Sequence, residues 1–305
     1  MMSHVDLTSE TPLSFRERHA SRIRQLRLYA HMFCGSFSSM FGLTLVVLFL
    51  ILAAIGPSIV PYPQDTTGAV NMEARLLPPG AEHWFGTDEM GADIFSRVIV
   101  GARTSLWIGI VITGLGALVG VPLGIIAGYK GGWVRACIMR VTELFLAVPG
   151  LALALAIVAS LGPGLTNCMI ALAIVWWPGY VRLVEAKTLA VKEELFVESA
   201  RSIGAKTPWI LWHHILPNCM SPIIVKMSMD MGMAILSAAG LGFIGLGAPP
   251  PAPEWGAMVS VARSYMPDWW WYSFFPGAAI FLTVLGFNLL GDGLRDILDP
   301  RSRER

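Results

Sequence analysis

The sequence predicts an all-α polytopic membrane protein with six transmembrane helices and both termini on the cytoplasmic side. Three observations carry this. Hydrophobic residues make up 54% of the 305 residues and charged residues only 14%, where soluble domains carry about a quarter charged. Mean hydropathy is +0.60, and the apolar residues fall in uncharged runs near the length of a bilayer crossing. Lys and Arg are shared unequally between the segments that join those runs.

Residues 1–37 are polar and bring Arg16, Arg18, Arg22, Arg24 and Arg27 close together. Arginines beside a span are expected on its cytoplasmic side, which favours a cytoplasmic tail over a nucleic-acid-binding arm. Residues 41–60 are uncharged and form the first span. The run lacks a small-residue cleavage site, so it reads as a retained span and not as a removed signal. Residues 61–103 are too polar to cross and form an external segment. The second span lies in 104–128, the third in 144–162 and the fourth in 166–181. Lys130, Arg135 and Arg140 surround the turn between the second and third. The fifth span falls within 221–248 and the sixth within 271–290. With the N-terminus inside, only Arg75, Arg97, Arg103 and Arg263 of the 22 Lys and Arg fall outside, the asymmetry of the positive-inside rule. The chain then divides into a cytoplasmic tail (1–37), a first span with its external loop (38–100), a five-helix core (101–295) and a second cytoplasmic tail (296–305).

Gly116, Gly120, Gly124 and Gly128 recur every fourth residue and make one stripe on a helix. This predicts close helix packing, against the same chain or another. Three ionisable residues lie near span interiors: Glu143, Asp230 and Asp292. Glu143 and Asp292 fall near cytoplasmic ends, where solvation explains them. Asp230 sits within the fifth apolar region and is the strongest candidate for a functional charge, although a structural role is the simpler reading for each. Cys34, Cys137, Cys168 and Cys219 show no paired spacing and read as packing residues.

Between the fourth and fifth spans lies a polar, helix-compatible insert, residues 194–217 within a loop 190–217. Gly204 suits a helix C′ position, where a left-handed residue is needed. Thr207 and Pro208 suit the N-cap and first position of a second helix. Pro217 closes that helix or bends the chain into the next. Gly204-Ala205-Lys206-Thr207 lacks the glycine-rich remainder of a P-loop. His213 and His214 point about 100° apart on a helix and cannot share a metal as an i, i+4 pair would, and His83 stands alone. No cofactor and no metal is expected. An intramembrane hydrolase would need a nucleophile–base pair that no motif supplies, and a stand-alone carrier would rest on Asp230.

Glu198-Ser199-Ala200, then Gly204, then Ile215-Leu216-Pro217 resembles the EAA signature of membrane permeases in binding-protein-dependent ABC importers, with Ser199 in place of the usual alanine. Gly86-Thr87-Asp88, Gly91, Asp93 and Ser96-Arg97, followed by Gly101-Ala102-Arg103, is similar to the external signature of the dipeptide/oligopeptide/nickel permease branch. So are Leu161-Gly162-Pro163-Gly164, Gly245-Leu246-Gly247 with Pro249-Pro250, and the run from Phe275 to Arg301. The set resembles the C-type permease subunit of that branch and covers nearly the whole chain. Ala92 and Ala238 depart from it, since the family often has arginine and glutamate there, which weakens transfer of a substrate from any one relative.

The resemblance implies a type I ABC importer permease fold in the cell inner membrane. It implies a B-type permease partner, two cytoplasmic ATPase subunits, and a periplasmic or lipid-anchored binding protein. The EAA loop would dock on an ATPase, with Glu198 supplying charge, Gly204 the turn and Ala200 room for close approach. The implied substrates are di- and oligopeptides, with nickel, glutathione and opine or sugar conjugates as alternatives.

Overall fold

A computed structural model describes residues 31–298; the arginine-rich start of the chain and its last residues, Arg301 among them, lie outside the described residues. The helices, in order, are α1 (Phe37–Ile59), α2 (Ile94–Lys130), α3 (Gly132–Ala147), α4 (Gly150–Leu161), α5 (Leu165–Val191), α6 (Leu195–Ser202), α7 (Thr207–Phe243), α8 (Trp255–Ala262) and α9 (Trp270–Leu298). Among the described residues, helices α1, α2, α5, α7 and α9 are each long and apolar enough to cross a bilayer, and the candidates number up to 6 if the broken pair α3–α4 forms one span.

That break falls inside the third span expected over 144–162. The helix axes of α3 and α4 differ by 87°. The cause is local: Val148 precedes Pro149, and the proline ring excludes helical backbone from the residue before it. Val148 is accordingly extended, with φ −96° and ψ 134°. Other spans outrun their apolar runs. Helix α2 starts at Ile94, so the division expected at 100/101 falls inside it. Asp93 sets that start by accepting the N–H of Ser96 on its side chain.

The glycine stripe is an intrachain seam between α2 and α5. A Cβ at Gly120 would lie 2.5 Å from the Trp177 carbonyl oxygen, and one at Gly124 would lie 2.8 Å from that of Val181. Only hydrogen fits there, so the two backbones approach at the distance that small residues allow.

Side chains collect into three apolar cores. Val46, Phe49, Ile94, Leu106, Ile235 and Trp255 fill the end carrying the 61–93 segment. Ile108, Ile112, Val158, Leu172 and Leu241 fill the middle, and Ala238 packs there as a buried methyl. Ile125, Val184, Val197, Ile210, Ile215 and Ile223 fill the end carrying α6.

The expected helix–turn–helix is corrected in one respect. Its second helix is not a separate hairpin arm but the first turns of α7. Lys206 occupies the N-cap, so Thr207 and Pro208 sit one position further into the helix than expected. Pro217 does not end the helix either. A π-turn over Leu211–Ile215 precedes it, in which the Leu216 N–H bonds the Leu211 carbonyl. Proline removes one N–H and crowds the carbonyl four residues back, and the wider turn makes room for it without breaking the helix.

Candidate functional site

The two constellations singled out in the sequence lie at opposite ends of α2. The first is a polar knot that seats the start of that helix. Thr87 and Asp93 form an isolated antiparallel bridge. The Thr87 hydroxyl donates to the Ala74 carbonyl and accepts the N–H of Leu77. Asp88 Oδ1 accepts the N–H groups of Met90 and Ala92 at 2.9 and 2.8 Å, and its Oδ2 lies 3.0 Å from Arg97 Nη1. Burial pushes the Asp88 carboxyl up, against the opposing pull of Arg97. Asp93 Oδ1 meets His83 Nδ1 at 2.9 Å, so the histidine that stood alone in the sequence has a partner. Its Oδ2 takes both the N–H and the hydroxyl of Ser96.

The glycines of the knot serve its backbone. Gly91 has φ +76°, and a Cβ there would lie 1.8 Å from the Asn71 carbonyl oxygen. Gly86, at φ +75°, packs against Leu77 and Trp271. Arg97 Nη2 also donates to the Pro251 carbonyl, Trp255 Nε1 donates to the Val98 carbonyl, and the Tyr272 hydroxyl donates to Glu89. The knot therefore joins the 61–93 segment to α2, α8 and α9. Ala92 is buried inside it, where an arginine would have to displace its neighbours.

The second constellation is α6 with the start of α7. Val197 and Ala200 face inward into the core formed with Ile125, Val184, Ile210 and Ile215. The small Ala200 admits close approach within the chain. Glu198, Ser199 and Gly204 are exposed. Gly204 stands at C′ with φ +78°, its N–H bonding the Arg201 carbonyl while the Ala205 N–H bonds that of Ala200. This is a Schellman closure, which needs a left-handed residue at that point. The Arg201 guanidinium lies over the Tyr129 ring at 5.1 Å. Around Glu198, Leu195 and Ile203 are 78% and 84% exposed, and Trp212 is exposed as well. Ile215 is fully enclosed, Leu216 half-buried and Pro217 exposed.

A cleft of about 890 Å³ opens between α5, α7 and α9, and Pro217, Lys226, Asp230 and Asn288 are among its lining residues. Lys226 lies near the middle of α7, 3.0 Å from Asp230 Oδ2. Its i, i+4 spacing from Asp230 was the signal available in the sequence. Glu143 and Asp292 are exposed, in keeping with solvated span ends.

With this geometry the chain can be compared with known proteins. Residues 120–304 match the family described as "Binding-protein-dependent transport system inner membrane component", and residues 25–79 match the "N-terminal TM domain of oligopeptide transport permease C". The chain belongs to the binding-protein-dependent transport permeases. This permease is 44% identical over 296 residues to the "Probable D,D-dipeptide transport system permease protein DdpC" of Escherichia coli K12, covering 97% of this chain and 98% of that one. It is 46% identical over 256 residues to the "Glutathione transport system permease protein GsiD" of Pectobacterium atrosepticum, covering 84% of each. In fold, the permease resembles a subunit of the inward-facing MetNI methionine ABC transporter, with a TM-score of 0.55, 16% identity, and coverage of 68% of this chain and 98% of that one. The permease is thus a multi-pass inner-membrane component of an ABC importer, with the fold of that class's transmembrane subunits.

Proposed function

We propose that this permease is the C-type transmembrane subunit of a peptide importer and that α6 is the helix on which a separate ATPase subunit acts. One observation carries the reading: α6 has two different faces. Its inner face is packed into the ends of α2, α5 and α7, while its outer face presents Glu198 among the exposed apolar side chains Leu195 and Ile203. A force applied to the outer face is passed to three spans at once, because a packed core does not deform continuously. The acidic group pairs with a cation in the ATPase cleft, and the apolar side chains bury against it. Energy comes from that partner, since no P-loop occurs in this chain. A B-type permease completes the path, both termini face the cytoplasm, and a periplasmic or lipid-anchored binding protein delivers substrate.

Di- and oligopeptides are the proposed cargo, supported by the dipeptide and glutathione names of the relatives. The test is purification of the chain with its co-expressed partners, followed by reconstitution into liposomes. The expected result is co-elution of a P-loop ATPase and peptide uptake that requires both ATP and the binding protein. Uptake by the chain alone, without ATP, would overturn the proposal in favour of a stand-alone carrier.

A further inference from the structure

We infer that Lys226 and Asp230 form a charged station in the cleft that holds the two termini of a zwitterionic peptide, a reading that rests on the transport function proposed above. The pair is out of place as a purely structural device. Both residues lie on α7, four apart, so their contact cannot hold one helix to another. An i, i+4 ion pair contributes only about 0.3–0.5 kcal/mol even where water screens its charges, and burial adds a desolvation cost that such a pair does not offset. Ionisable side chains inside spans are rare and face the interior or a cavity. Here they face the cleft, which Lys187, Asn218, Ser221 and Arg295 also line.

The two charges pair with each other. Lys226 Nζ donates to Asp230 Oδ1 at 3.2 Å and lies 3.0 Å from Oδ2, so one ammonium serves both carboxylate oxygens. The Tyr180 hydroxyl is buried beside Asp230. Lys226 rests over the Tyr180 ring, with Nζ 5.1 Å from its centroid. A cation with spare donors and its carboxylate therefore stand together at the wall of an open cleft, backed by the buried Tyr180. A peptide carries one charge of each sign at its ends. Its carboxylate can take the Lys226 ammonium and its ammonium can take Asp230, so that each buried charge keeps a partner throughout the exchange. The mutual pairing of Lys226 and Asp230 is then the resting state between substrates.

The deciding variant is Lys226→Met with Asp230→Leu, which removes both charges together and leaves neither orphaned. In the complete transporter, binding-protein-stimulated ATP hydrolysis should persist while uptake of dialanine falls on the order of tenfold or more, the loss of two charge-assisted contacts. Wild-type uptake by that variant would overturn the station. A transporter whose wild-type form takes up no dialanine with ATP would instead overturn the peptide reading beneath it. A second measurement needs no variant. Saturation-transfer NMR on the nucleotide-free wild-type complex without binding protein should detect dialanine and not its N-acetylated, C-amidated form. Equal signals from the two would overturn the proposal.

Discussion

Asp93 Oδ2 accepts two hydrogen bonds from Ser96, from its N–H at 2.8 Å and from its hydroxyl at 2.7 Å. Both residues are buried at the start of α2, and the other Asp93 oxygen is engaged by His83. A single carboxylate thus caps the longest stretch of the seam helix and ties it to the 61–93 segment. Asp93→Ala should remove a cap and leave buried donors unpaired. A loss of about 2–4 kcal/mol is expected, the sum of a cap and at least one orphaned buried donor. Thermal unfolding in detergent would measure it, and Asp93→Asn should recover part of the loss. An unchanged melting temperature for the alanine variant would contradict the capping role.

Gly120 is the tightest point of the α2–α5 seam. Leucine there would drive a side chain into Trp177 and Tyr180, and backbone atoms cannot step aside as a flexible side chain can. Overpacking typically costs about 1–3 kcal/mol, and more is expected where the obstacle is backbone. Gly114 is the control, since nothing lies within 4 Å of a Cβ placed there. Gly114→Leu should leave detergent stability near the parent value and Gly120→Leu should not. Equal effects would mean that the seam is not what the stripe serves.

Glu254 caps α8 with its own side chain, through Gly256 N–H to Oε1 at 2.7 Å and Ala257 N–H to Oε2 at 2.8 Å. It is 3% exposed, and burial raises its pKa above the ordinary 4.5, with the two N–H groups opposing. The native state therefore holds this proton more tightly than the unfolded chain does. The contribution of Glu254 is present in full below 4.5 and is lost as pH rises through its higher native value. Relative to Glu254→Gln, the parent protein should lose stability as pH rises above 4.5 and through the higher native value. Melting temperatures of the two proteins across that range test the sign, and a parent that gains on the variant as pH rises would refute it.

Glu198→Lys combined with Gly204→Pro tests the proposed coupling helix. The first reverses the exposed charge. The second forbids the φ of +78° on which the Schellman closure depends. The double variant should insert normally, lose ATPase co-purification and abolish ATP-driven uptake. Full uptake by it would remove α6 from the coupling role.

The apolar spans, the glycine seam and the closing turn at Gly204 could all be read before any coordinates. Each is set by a local rule: the length of an apolar run, the spacing of small residues on one helix face, or the need for a left-handed backbone. The family motifs could be read in the same way, because they are contiguous strings. The break at Pro149 could have been read from the residue pair Val148-Pro149, but continuous hydropathy hid it.

Long-range packing decided the rest. Whether Pro217 ended a helix depended on a π-turn that its neighbours could accommodate. Whether Ala200 faced a partner or the chain's own interior depended on where α6 was docked. His83 acquired Asp93, and Tyr272 acquired Glu89, only when the 61–93 segment folded over the ends of α2 and α9. Lys226 and Asp230 were visible as a spaced pair, yet their character came from the cleft and from Tyr180 on another helix. Composition and periodicity act along the chain, so the sequence by itself determined a polytopic membrane permease. Burial and electrostatics act through space, so only the tertiary structure decided which of its charges face a cavity.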